Sequence, residues 1–112
     1  MLFGNKMDKI EKLAQKGQEE KLVEFLKDKK EDVRLAAIDA LGKCTGDVAF
    51  NALVPLVHNE DPAVRIRTAA ALSNMKQPRA RTFLEHQREI EKDAGVLKAI
   101  EEALAKISDV VK

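Results

Sequence analysis

The sequence predicts an all-α superhelix, a short solenoid built from about three helix pairs with a further helix in front of them. Three observations point there. One segment recurs at a spacing of 31–32 residues, each copy spaces its apolar residues along one helical face, and helix start and stop signals separate the copies.

The recurring segment is Asp32-Val33-Arg34-Leu35-Ala36-Ala37-Ile38-Asp39-Ala40-Leu41, which returns 31 residues later as Ala63 to Leu72. A third copy, 32 residues further on, passes through Val96, Ala99, Ile100, Ala103 and Leu104. Aligned, the copies define a stripe at i, i+3, i+4, i+7, i+8 and i+11. It contains Val33, Ala36, Ala37, Ala40, Leu41 and Cys44 in the first copy, and Val64, Arg67, Thr68, Ala71, Leu72 and Met75 in the second. The third contributes Val96, Ala99, Ile100, Ala103, Leu104 and Ile107. This spacing predicts an inner helix buried along one face, with small residues that let a neighbour approach closely.

An outer helix precedes each inner one. Leu22, Val23, Phe25 and Leu26 are matched 31 residues later by Leu53, Val54, Leu56 and Val57. In the third outer helix only Leu84 matches, and a narrower stripe through Ala80, Phe83 and Ile90 is expected, with the rest of its surface solvated. Pro55 removes a backbone donor inside the second outer helix, so a kink is expected there, or a helix that begins near Asn51.

The punctuation divides the single domain 1–112 into a capping helix (1–17), repeat 1 (18–46), repeat 2 (47–77) and repeat 3 (78–112). Gly17 ends a first helix carrying Met7, Ile10, Leu13 and Ala14, and Gly46-Asp47 separates the first pair from the second. Asp61-Pro62 reads as an N-cap followed by proline at the first helical position, Gln77-Pro78 as a similar start, and Asp93 aligns with Asp61 as a cap.

The pattern Asp28, four residues, Val33-Arg34, two residues, Ala37, two residues, Ala40-Leu41-Gly42 resembles the HEAT repeat signature. Asp61-Pro62-Ala63-Val64-Arg65 is similar to its PBS-lyase-like form. The resemblance covers roughly residues 18–107. It implies an armadillo-like α-α superhelix, a short right-handed solenoid whose inner helices line a concave face, used as a scaffold for macromolecular contacts. It also implies a ladder between neighbouring repeats, from the acid before each inner helix to the Arg after its Val. Those positions read Asp28, Asn59 and Glu91, and Arg34, Arg65 and Leu97, so the last copy lacks its Arg.

Composition bounds the function. Hydrophobic residues at 45% and charged residues at 35% describe a folded domain rather than a disordered or membrane-spanning chain. The longest uncharged stretch, Val48 to Asn59, is too short to cross a bilayer, and no secretory signal is seen, so a cytoplasmic location is expected. The net charge of +1 argues against binding dominated by nucleic-acid phosphates. Cys44 is the sole cysteine, which excludes a disulfide framework.

No catalytic, cofactor or metal motif emerges. Cys44 shares the stripe position of Met75 and Ile107 and is expected to be a core residue. His86 with Glu85 and Glu89 falls short of the three or four converging ligands that zinc needs and reads as a solvated face. The basic strip Arg65, Arg67, Lys76, Arg79 and Arg81 is free of acids and would suit a nucleic-acid backbone, with affinity falling as salt rises. The weightier reading gives Arg65 to the ladder and pairs or solvates the others.

The preferred site is the face of the inner helices opposite the buried stripe: Leu35, Ile38, Asp39 and Gly42, then Ile66, Ala69, Ala70 and Ser73, then Lys98, Glu101, Glu102 and Ala105. Such a groove begins apolar and finishes acidic, and an exposed apolar patch marks an interface. The alternative is that Leu35, Ile38 and Ile66 pack between adjacent inner helices. The expected function is a non-enzymatic protein-binding adaptor using Leu35, Ile38, Asp39, Ile66, Ala70, Lys98, Glu101 and Glu102 to dock a protein or peptide, or a second copy of the chain. The alternatives are a nucleic-acid-associated solenoid and an accessory subunit of an enzyme, as in lyase-like HEAT proteins.

Overall fold

The computed structural model describes the backbone of residues 5–111 and the side chains of residues 5–107. Over that span the chain is helical, without a strand: α1 (Lys6–Gln15), α2 (Glu19–Glu24), α3 (Glu31–Leu41), α4 (Asp47–Leu53), α5 (Pro62–Met75), α6 (Ala80–Ile90) and α7 (Ala94–Val111). The inner layer runs α1, α3, α5, α7, each helix packed on the next, with α2, α4 and α6 behind it.

The two layers meet in one core. Leu22, Leu53 and Leu84 of the outer helices and Leu41, Leu72, Ile100 and Ile107 of the inner ones are all buried. Each such side chain contributes about 1.5–3 kcal/mol by leaving water. The aligned stripe positions Val33, Val64 and Val96 are buried too, as the register predicts. The i+3 position of the stripe is the exception: Ala36 and Ala99 are only half-buried there, and Arg67 is exposed and reaches across to Asp39 of α3.

The first two outer helices tighten into 3₁₀ turns at the same place, Phe25–Lys27 after α2 and Val54–His58 after α4. The second outer helix therefore begins at Asp47 rather than near Asn51, and Pro55 sits in its 3₁₀ segment. The first repeat makes the same transition without a proline, so the tightening belongs to the repeat and Pro55 conforms to it. In α6 the buried residues are Ala80, Leu84 and Gln87. Phe83 and Ile90, expected on the buried stripe, are instead exposed, because the face is set by Leu84 and runs at i−4 and i+3 from it.

The boundaries are capped by recognisable devices. Gly17, with φ +66°, closes α1 through bonds from Gln18 N to Leu13 O (3.0 Å) and from Gly17 N to Ala14 O (3.1 Å). Asp61 Oδ1 accepts from Ala63 N at 2.9 Å, and Asp93 Oδ1 accepts from Val96 N at 3.0 Å. Gln77-Pro78 does not cap α6, which starts two residues later without a side-chain cap. The start of α4 is capped from another helix: Glu19 of α2 accepts from Gly46 N and Ala49 N, both at 2.8 Å.

The inner helices α3 and α5 are flanked on three sides, by the preceding inner helix, the following one and the outer layer. Their buried arc is therefore wider than a single-neighbour helical wheel predicts. Ile38 (2% exposed), Ala69 (1%) and Ser73 (2%), expected on the open face, are buried. Gly42 is buried as well, at the tightest approach of α3 to α5, where an added Cβ would lie 2.8 Å from Ala71 Cα.

Candidate protein-interaction surface

The turn joining outer to inner helix is built the same way in each repeat. Asp28 Oδ1 accepts from Lys30 N (3.0 Å), Asn59 Oδ1 from Asp61 N (2.9 Å) and Glu91 Oε2 from Asp93 N (3.1 Å). An arginine four positions into the inner helix clamps the same turn. Arg34 Nη1 donates to Asp28 O and Lys29 O at 2.7 and 3.0 Å, and Arg65 Nη1 donates to Asn59 O and Glu60 O at 2.8 and 3.1 Å.

Of the expected ladder one Arg–acid rung is formed, and a second ionic rung comes from a lysine of the first helix. Arg65 spans from the second repeat to the third, donating from Nε and Nη2 to the two carboxylate oxygens of Glu91, each at 2.8 Å. The Arg65 bonds, with help from Gln87 and the Asp93 amide, hold the Glu91 carboxyl down at about 2 despite its burial. At the other end Lys6 Nζ meets Asp28 Oδ2 at 2.6 Å, which together with the Lys30 amide lowers that carboxyl. Lys6 lies on α1, so the first helix takes the place of a preceding repeat.

The open face of the inner layer holds most of the expected site. Asp39, Ala70, Lys98, Glu101 and Glu102 are exposed, while Leu35 and Ile66 are half-buried against the core. Of the two readings of the apolar residues, packing between inner helices describes Ile38 fully and Leu35 and Ile66 in part. Asp39 is tied to Arg67 at 2.6 Å, bridging α3 and α5. Glu101 leans toward α6, where Arg88 Nη1 lies 3.6 Å away, whereas Glu102 borders the α5–α7 groove with Ile66 and Ala70. That groove encloses about 130 Å³. A second groove of about 250 Å³ between α1 and α3 is lined by Met7, Glu11, Asp39 and Lys43. Met7, Glu11 and Lys43 escaped the sequence reading because α1 was expected only as a cap. The stripe Met7, Ile10, Leu13, Ala14 was the signal that α1 packs like the other inner helices.

The basic strip is not a continuous cationic surface. Arg65 is engaged with Glu91, Arg67 with Asp39, Arg79 with Asp47 at 2.6 Å, and Arg81 with Glu85 at 3.4 Å. Arg79 also stacks 4.0 Å above the Phe50 ring, which meets Phe83 edge-on at 6.3 Å. Lys76 is exposed and ends α5 in the left-handed conformation.

Cys44 is buried, its Sγ 3.6 Å from Ala40 O, and burial with the nearby Glu19 charge pushes its thiol up, away from the nucleophilic thiolate. His58 Nδ1 contacts Gln87 Oε1 at 2.8 Å, and its ring meets His86 edge-on. Among the described residues no group of three or more His, Cys, Asp or Glu side chains is placed to hold a metal ion. No helix among them is long and apolar enough to cross a membrane.

A layer of stacked inner helices backed by outer ones, with the same side-chain-to-amide bond at each turn and the Arg65–Glu91 rung between the second and third repeats, defines a small α-solenoid. The family model for HEAT repeats matches residues 10–105, and the chain belongs to that family. No curated protein matches it. HEAT repeats are commonly protein-interaction scaffolds and typically non-catalytic.

Proposed function

We propose that the chain is a non-enzymatic protein-binding scaffold whose partner lies across the open face of α1, α3, α5 and α7. The observation that carries this reading is the make-up of that face. Half-buried Leu35 and Ile66 and exposed Ala70 sit beside charges of both signs, Asp39, Lys98, Glu102 and Lys106. An apolar floor with a charged rim is the anatomy of a protein interface. The two shallow grooves are suited to side chains of a helix or extended segment rather than to a small-molecule substrate.

A nucleic-acid role draws less support, because four arginines of the basic strip already neutralise carboxylates. The test is capture of partners by the immobilised chain and by Ala70→Arg, a change at an exposed position that leaves the core alone. The scaffold reading expects a partner retained at high salt by the parent chain and lost by the variant, with the same thermal melt for both. Assembly of the chain with itself through this face would appear as a concentration-dependent dimer that Ala70→Arg dissociates.

A further inference from the structure

The first inter-repeat junction reproduces the second in its turn hydrogen bonds but omits the rung. In the second junction the Arg65 fork closes on Glu91. In the first, Arg34 makes the same pair of Nη1 bonds to its turn, but the position facing it in the next repeat is Asn59. Asn59 Oδ1 is occupied by Asp61 N, so the residue keeps its turn function and supplies no carboxylate. Among the described residues no acid pairs with Arg34. Instead Arg34 and Asn59 border a cavity of about 310 Å³, walled by Leu26 and Leu56 and edged by Glu60 and Asp61.

We infer that this cavity receives a single carboxylate from another protein, the side chain of a glutamate or aspartate that has an apolar neighbour. The molecule contains its own precedent, since the same fork four residues into the next inner helix binds Glu91 with two hydrogen bonds of 2.8 Å. A guanidinium's planar fork matches a carboxylate's two oxygens, and Asn59 Nδ2 adds a donor beside it. The cavity is about tenfold larger than the roughly 30 Å³ share of one water, which leaves room for an apolar side chain against Leu26 and Leu56. Glu60 and Asp61 at the edge disfavour added negative charge, and the two donors of the fork are matched in full by the two oxygens of one carboxylate, as at Glu91. The site lies at the helix-joining turns, apart from the open face, and it stands or falls independently of that face.

The test is a ¹⁵N NMR titration that follows the Arg34 Nε–Hε and Asn59 Nδ2 signals. The probes are N-acetyl-Leu-Glu-amide, N-acetyl-Leu-Gln-amide and inorganic phosphate. The expected result is saturable shifting by the Glu peptide with a dissociation constant in the millimolar range, weakened about tenfold for the Gln peptide and for Arg34→Lys. Asn59→Glu should fill the fork from within, abolish peptide binding and raise the melting temperature. Equal response to both peptides, tighter binding of phosphate, or no shift at all would overturn the inference. So would an Asn59→Glu protein that still binds the Glu peptide or that melts lower than the parent, because the fork would then not accept a carboxylate.

Discussion

Arg65 and Glu91, 26 residues apart, are joined by two parallel hydrogen bonds of 2.8 Å that tie the second repeat to the third. Glu91 is 2% exposed at its side chain and Arg65 15%, so solvent screens this pair far less than the ion pairs of the outer surface. The geometry has a direct consequence for acid stability.

Glu91 titrates at about 2 in the folded chain, against an ordinary value of 4.5. A depressed carboxyl stabilises the fold fully above its unfolded value, and that contribution is lost as pH falls through the folded one. Urea unfolding should therefore show stability declining between pH 4.5 and 2, by up to about 3 kcal/mol from this group. In Glu91→Gln the stability at neutral pH should be lower and the acid decline shallower. An unchanged acid profile in that variant would exclude the rung as its source.

Gly42→Ala should destabilise the chain by about 1–3 kcal/mol, because the new methyl would meet Ala71 Cα and Cβ at 2.8 Å and force α3 from α5. Helix propensity alone predicts the opposite sign, since alanine is the better helix former. Thermal melting distinguishes the two.

Thr68 is fully buried in α5 and its Oγ1 has no hydrogen-bond partner. Thr68→Val removes the unsatisfied hydroxyl at nearly constant volume and should stabilise the fold by about 1 kcal/mol, read from the urea midpoint. Loss of stability would mean the hydroxyl is satisfied in solution.

Glu19→Ala should cost about 1 kcal/mol, since its carboxylate caps the first turn of α4 from the neighbouring repeat. Hydrogen exchange should locate the loss at the amides of Gly46 and Ala49. A uniform change in protection across the chain would contradict that assignment.

How much of this was legible before the structure depended on what each residue faces. Val33, Val64 and Val96 fall in one register because every copy packs its inner helix on the same outer layer, and periodicity reports that directly. Ile38 and Gly42 were misplaced because periodicity describes one buried face, whereas a stacked helix also buries its two flanks. Phe83 and Ile90 were misplaced because α6 is mostly polar, which left its face to be judged on few apolar residues. The Glu91 rung was implied by the resemblance to HEAT repeats, which links the aligned acid and Arg positions. The Lys6–Asp28 rung did not, since α1 carries no aligned arginine. Asn59 was visible as a departure from the acidic pattern, but its consequence needed the cavity beside Arg34.

The central claim is that the open face of the inner layer binds protein. The most direct measurement is quantitative mass spectrometry of partners captured by the parent chain and by Ala70→Arg as salt is raised. The account predicts a protein partner that survives high salt on the parent and is absent from the variant, while both melt at the same temperature. Equal capture by the two, or a captured set that elutes with nucleic acid as salt rises, would contradict it.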